Sequence, residues 1–294
     1  MGVTASPLTW VVRALWLTLP LTCGDLVATT LDGRSGPVRG VAIGLAWAVW
    51  AAGLLASLVT QPSALTVLRT LAPLPLVASA VCAVESTPSA IGWLGLATSA
   101  LVVVVAGSAV VGADFVDGAS YGDERRFALR PPAVLLAGPI PLTWALTTLP
   151  LPLGALLLAA GRWFAGAVLV VAGAATAWWG FRVLHRLARR CVVFVPAGLT
   201  LVDELAAVDP VLFRRRDLHR IGPAPADTGA LDLSAAASGL ILQLDVDPPV
   251  TVAPTVGRGR DTESLEVRSV LIAPSRPGAL LAHADERRLA VQRG

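Results

Sequence analysis

Two textures of hydrophobic patterning divide the chain. Up to residue 181 the apolar residues come in long, nearly charge-free runs; beyond residue 190 they come in short runs broken by Gly, Pro and Asp. A helix crosses the apolar core of a bilayer with about 20 residues. Val38 to Thr60, Ser89 to Val111 and Arg162 to Phe181 meet that length cleanly. Ala133 to Ala160 exceeds one crossing and carries Pro139, Pro141, Pro150 and Pro152, so it reads as one kinked, tilted helix or as a helix with a partly re-entrant end. Leu65 to Val84 is interrupted by Pro73 and Pro75, and Leu8 to Leu31 contains Arg13 and Asp25. The first four segments set a minimum of four spans, and all of them together give about six.

The second texture predicts a small α+β domain. Cys191 to Val195 and Leu199 to Val202 are β-branched and aliphatic runs flanking a Pro-Ala-Gly turn. Further strands are expected at Pro210 to Phe213, Leu231 to Leu233, Leu240 to Asp245, Val250 to Ala253 and Val270 to Ala273. A closing helix follows "APSRPG", with Leu280, Leu281, Ala284 and Leu289 on the face that covers a sheet. Ala224 to Ser238, rich in Ala, Asp and Ser, predicts an irregular stretch, and Gly257 to Ser264 a mobile polar loop. The expected organisation is a transmembrane helical domain at 1–181, a basic juxtamembrane stalk at 182–190 and an α+β domain at 191–294.

Composition sharpens the membrane reading. Hydrophobic residues make up 55% of the 294 positions and charged residues 15%, with mean hydropathy +0.70; soluble domains carry about 25% charged residues. Lysine and asparagine are absent, so every fixed side-chain cation is an arginine, a usage that GC-rich coding accounts for. Residues 191–294 hold eleven Arg against thirteen acids, and the basic excess sits in Arg182, Arg186, Arg189 and Arg190. The basic pI therefore does not point to nucleic acid. Basic loops favour the cytoplasmic side, which places the C-terminal domain inside and, with six spans, the N-terminus as well. Arg125, Arg126 and Arg130 agree with this; Arg34 and Arg39 fall on the opposite side. A signal peptide is the other reading of the segment after Arg13. Leu21-Thr22 before Cys23 lacks the small residues of a lipoprotein box, and an uncleaved first span fits better. Cys23, Cys82 and Cys191 lie far apart and read as core filling.

Several spans followed by a sheet of hairpins and one closing helix resemble bacterial membrane proteins with a cytoplasmic PH-like domain. The local carriers are "VVFVPAGLTLVDE", "PVLFRRRDLHRIG" and "VLIAPSRPGALLAHA", and the resemblance covers residues 188 to 292. The whole chain also resembles the uncharacterised integral membrane proteins of actinobacteria, which implies no particular activity.

Two polar stretches are candidate sites. In "VLFRRRDLHRIG", residues 211–222, Asp217 is expected to start a turn with Leu218 and Ile221 tucked inward. Arg214, Arg215, Arg216 and Arg220 then form a solvated rim, or a contact to anionic lipid headgroups worth about 1 kcal/mol per cation. In "GADFVDGASYGDERRF", residues 112–127, Asp114, Asp117, Asp123 and Glu124 occupy an inter-helix loop. Their alternatives are a docking site or a hard-cation site, although the spacing matches no EF-hand. Tyr121 and Phe127 are placed at the headgroup level. Nucleotide-binding glycine motifs, zinc-protease and nucleophile-elbow motifs are absent, and the sequence offers no catalytic residue, cofactor or metal set. His185, His219 and His283 read as ordinary solvated or interface residues. The expectation is a membrane-anchored scaffold that contacts the bilayer, anionic headgroups or a cytoplasmic protein, and not an enzyme. The alternative is a small-solute transporter or channel component using segment 133–160 and Asp114.

Overall fold

A computed structural model describes residues 5–255 and 264–292. The polar loop expected at 257 to 264 falls outside them except for Ser264. In chain order the helices are α1 (Pro7–Leu31), α2 (Gly36–Leu58), α3 (Pro62–Leu71), α4 (Pro73–Glu85), α5 (Ala90–Gly107), α6 (Ala109–Asp117), α7 (Ala133–Ala137), α8 (Pro139–Thr148), α9 (Pro150–Ala159), α10 (Trp163–Ala188) and α11 (Pro277–Glu286). The strands are β1 (Arg125–Ala128), β2 (Cys191–Val195), β3 (Gly198–Val202), β4 (Val211–Arg214), β5 (Leu218–Pro223), β6 (Leu231–Asp232), β7 (Leu242–Val252) and β8 (Leu265–Ile272). Among the described residues, six helical segments are long and apolar enough to cross a membrane: α1, α2, α3–α4, α5, α8–α9 and α10. The chain is thus a multi-pass membrane protein. It divides into a helical unit (Met1–Phe115 with Ile140–His185) and a sheet unit (Val116–Pro139 with Arg186–Gly294).

Within the helical unit, close approach is achieved with small residues. Gly95 of α5 lies where a side chain would collide with the Thr22 carbonyl of α1, and Gly53 of α2 lies beneath the Trp16 ring. Gly166, Gly173 and Gly180 form a buried seven-residue repeat on α10, facing Leu158, Leu151 and Thr147. Such contacts drive helix association where lipid removes any hydrophobic gain. Proline breaks create work for tryptophans. Pro20 has no N–H to offer the Trp16 carbonyl four residues earlier, and Trp50 Nε1 donates to that carbonyl at 3.0 Å. Trp16 Nε1 returns the bond to the Trp50 carbonyl at 2.8 Å. At the Pro73 break between α3 and α4, Trp144 Nε1 donates to the Thr70 carbonyl at 2.7 Å.

The sheet unit is built from two four-stranded sheets, ordered β1-β2-β3-β4 and β5-β7-β8-β6. All pairings are antiparallel except β6 with β8. Alternation sends Val211 and Phe213 of β4 inward and Leu212 and Arg214 outward. The inner faces of both sheets meet in one core with Leu280 and Ala284 of α11. Isolated bridges at Leu129–Pro274 and Ala207–Pro254 join the two sheets at their corners, and Val291 of the C-terminal tail bridges Ile221 on β5.

The basic stalk is the uninterrupted continuation of α10 as far as Ala188, since nothing between Phe181 and Arg190 breaks a helix. Two features differ from the sequence expectation. Segment 112–127 is more than an inter-helix loop, because it supplies β1, which pairs with β2 from Arg125–Phe194 to Ala128–Cys191. Leu218 and Ile221 do point inward as expected, yet they do so from a strand, β5, whose alternation is broken by a bulge between Leu218 and Arg220.

The β1–β2 ladder also carries a topological consequence. Residues 128 and 191 are direct partners, so they lie on one side of any membrane that the chain crosses between them. The number of crossings there is even. If α10 crosses, a second crossing must lie between residues 128 and 191, and the α8–α9 segment is the other one there long and apolar enough to supply it.

Candidate functional site

The two polar stretches singled out in the sequence converge on the last turn of α11. Arg287, just past that helix, donates from its guanidinium to the carbonyl of Asp123. Its own carbonyl accepts a 2.7 Å bond from Arg215. One arginine near the C-terminus thus bridges the segment leading into β1 and the turn between β4 and β5.

On the β1 side, Asp117 organises the approach. Its carboxylate accepts from Ser120 Oγ and the Arg126 amide, both at 2.9 Å, and pairs with Arg125 at 3.1 Å. Glu124 pairs with Arg126 at 3.2 Å. Asp123 contributes its backbone carbonyl. Asp114 serves elsewhere: in the helical unit it accepts from the Ser6 amide at 2.8 Å and Thr9 Oγ1 at 2.6 Å, acting as a surrogate N-cap for α1. The four acids are consequently split between units and do not form one cation site. Among the described residues no group of three or more His, Cys, Asp or Glu is placed to hold a metal. Phe127 is not an interfacial aromatic; it packs against Phe194 with ring centroids 5.4 Å apart. Tyr121 is 88% exposed.

On the other side, three of the four arginines already have partners. Arg215 binds the Arg287 carbonyl, Arg216 pairs with Asp217 at 3.2 Å, and Arg220 pairs with Asp245 at 3.4 Å. Arg214, Arg215 and Arg216 are exposed, while Arg220 is half-buried. The rim is a mixed-sign surface, not a uniform basic patch. Beside it, His219, Asp245, Val246, Asp247, Arg268 and Ser269 line a shallow depression of about 420 Å³. Its charges are met by the Arg220–Asp245 pair and an Arg268–Asp247 pair at 2.7 Å.

Sequence reading missed two groups. Arg190 looked like a stalk cation, but its guanidinium is buried and grips Asp203 through two 2.7 Å bonds, with a third to the Arg130 carbonyl at 2.8 Å. Bidentate geometry and the extra acceptor are what such a buried pair requires. The signal was present: once β2 and β3 pair as a hairpin with Cys191 opposite Val202, residues 190 and 203 must face each other. The second group is His283, whose ring is edge-on to Phe194 at 5.1 Å. Its side chain is 15% exposed, and burial holds its pKa below the ordinary imidazole value against the opposing bond to Glu286. Burial likewise pushes the Cys191 thiol up to about 11, the nearby Arg126 and Arg189 offsetting only part of it. That thiol is inert at neutral pH.

The fold and site define a class, a multi-pass membrane protein carrying a two-sheet domain with a charged surface at one helix end. Compared with known protein families, curated proteins and solved structures, the chain has no match.

Proposed function

We propose that the chain is a non-enzymatic membrane anchor whose sheet unit, a PH-like module on the cytoplasmic side, presents the surface around Arg287 to a protein partner. The convergence of segments 117–127 and 211–222 on that residue carries the reading. Hairpins β2–β3–β4, a second sheet and a closing helix support the PH-like assignment; β1, borrowed from between two spans, departs from it. Orientation rests on the basic excess in 182–189 and 125–130. Arg34 and Arg39, which ran against it, sit at helix ends beside Glu85 and Asp32 and form ion pairs with them. The rim's mixed sign favours a protein over an anionic leaflet.

One observation favours a second reading, a small-solute transporter or channel component. The α3–α4 and α8–α9 spans are both broken at a proline near mid-length, a pattern found where substrates bind. Photo-crosslinkers placed at Tyr121 and Arg214 of the full chain in native membranes test the first reading. A discrete adduct, lost when Arg214, Arg215, Arg216 and Arg220 are changed to Gln, is expected. Saturable solute flux in liposomes, abolished by Asp114→Ala, overturns it in favour of transport.

A further inference from the structure

We infer that His283 is a proton-sensitive catch that holds the end of α11 to the segment entering β1. The imidazole is committed to one neutral tautomer by its two neighbours. Nε2 accepts from Arg287 Nε at 3.2 Å, so Nδ1 carries the proton and donates to Glu286 at 3.1 Å. A proton added at Nε2 converts the acceptor into a donor that faces another donor. It also puts a positive charge beside Arg287 and Arg125. Arg287 is the residue that reaches the Asp123 carbonyl and receives Arg215, so losing its bond to His283 loosens both connections.

The groups facing the ring come from three elements. From α11 and its end they are Glu286, which favours the cation, and Arg287. From the β1 segment they are Arg125 and the Phe127 ring, tilted at 5.8 Å; from β2 the Phe194 ring faces it. Glu286 is 73% exposed, where water weakens its hold. The sign follows. With the folded-state pKa below the unfolded value of about 6.5, the stabilisation is complete above that pH and is lost as pH falls through the lowered value. The catch is closed at neutral pH and opens on acidification. This goes beyond the anchor reading and depends on no partner.

Full-length protein in nanodiscs supplies the test, with histidine NMR titration and hydrogen exchange of residues 118–128 at pH 7.5 and 5.5, corrected for intrinsic rates. His283 should titrate below the ordinary imidazole value. Protection of 118–128 should fall severalfold on acidification. His283→Gln should remove the pH step, and Arg287→Gln should lower protection at both pH values and flatten the step. A step that persists in His283→Gln, or His283 titrating at the ordinary value with protection unchanged, overturns the inference. Should His283→Gln fail to fold, a full pH step in Arg287→Gln overturns it equally.

Discussion

The helical unit and the sheet unit are made from the same apolar alphabet turned in opposite directions. In the helical unit, Trp10, Leu21, Val104 and Phe164 face outward and are more than half exposed, while Gly53, Gly95, Thr98, Ser99 and Gly166 are buried. In the sheet unit, Leu199, Leu201, Ile221, Leu242 and Leu244 are fully buried and the arginines of the rim face out. Water rewards apolar burial with roughly 25 cal/mol per Å². Lipid gives no such reward, which leaves shape and hydrogen bonds to hold helices together. One chain therefore runs on two different sources of cohesion.

Substitutions can break or sharpen that contrast. The largest effect is expected at the buried pair of the sheet unit. Asp203→Ala strands the Arg190 guanidinium and should cost about 3–5 kcal/mol, whereas Arg190→Met with Asp203→Leu should recover most of it. Pulse proteolysis of the sheet unit in urea measures both. Next comes Leu280→Ala, a cavity in the core expected to cost about 2–5 kcal/mol. Val104→Ala, on an exposed face of α5, should leave stability in nanodiscs nearly unchanged; equal losses would refute the inverted arrangement. Gly95→Ala, which drives a methyl into the Thr22 carbonyl, should cost about 1–3 kcal/mol and lower the thermal midpoint read by tryptophan fluorescence. All nine tryptophans belong to the helical unit, so that signal is specific to it. A smaller loss than at Gly95 is expected for Trp50→Phe, about 1 kcal/mol. It should vanish in a Pro20→Ala background, where the Trp16 carbonyl regains its own helical donor.

The periodicity of the sequence disclosed what is local and missed what is paired at a distance. The apolar segments gave the spans because length and polarity alone decide crossing. The hairpin β2–β3 was legible from its turn, and Leu280 and Ala284 from helical spacing. Arg125–Ala128 carries no alternation, and its partners lie more than 60 residues away, so nothing in its own composition marks it as a strand. Leu240 to Asp245 and Val250 to Ala253 read as two strands; the structure joins them in β7, with a register shift between Asp245 and Val250 against β8. The candidate surface was half legible: both charged stretches stood out, but Arg287, which unites them, looked like one arginine among many.

The borrowed strand has a consequence for how the protein is made. Ribosomes add about 5–20 residues per second, so Arg125–Ala128 waits several seconds for β2 to be synthesised. During that interval the two spans of residues 139–188 have to thread the bilayer and return. The ladder then acts as a proofreader of insertion. A chain that fails to bring residue 191 back to the starting side leaves β1 with an open edge, and such unpaired edges are what cellular quality control and aggregation both seize upon.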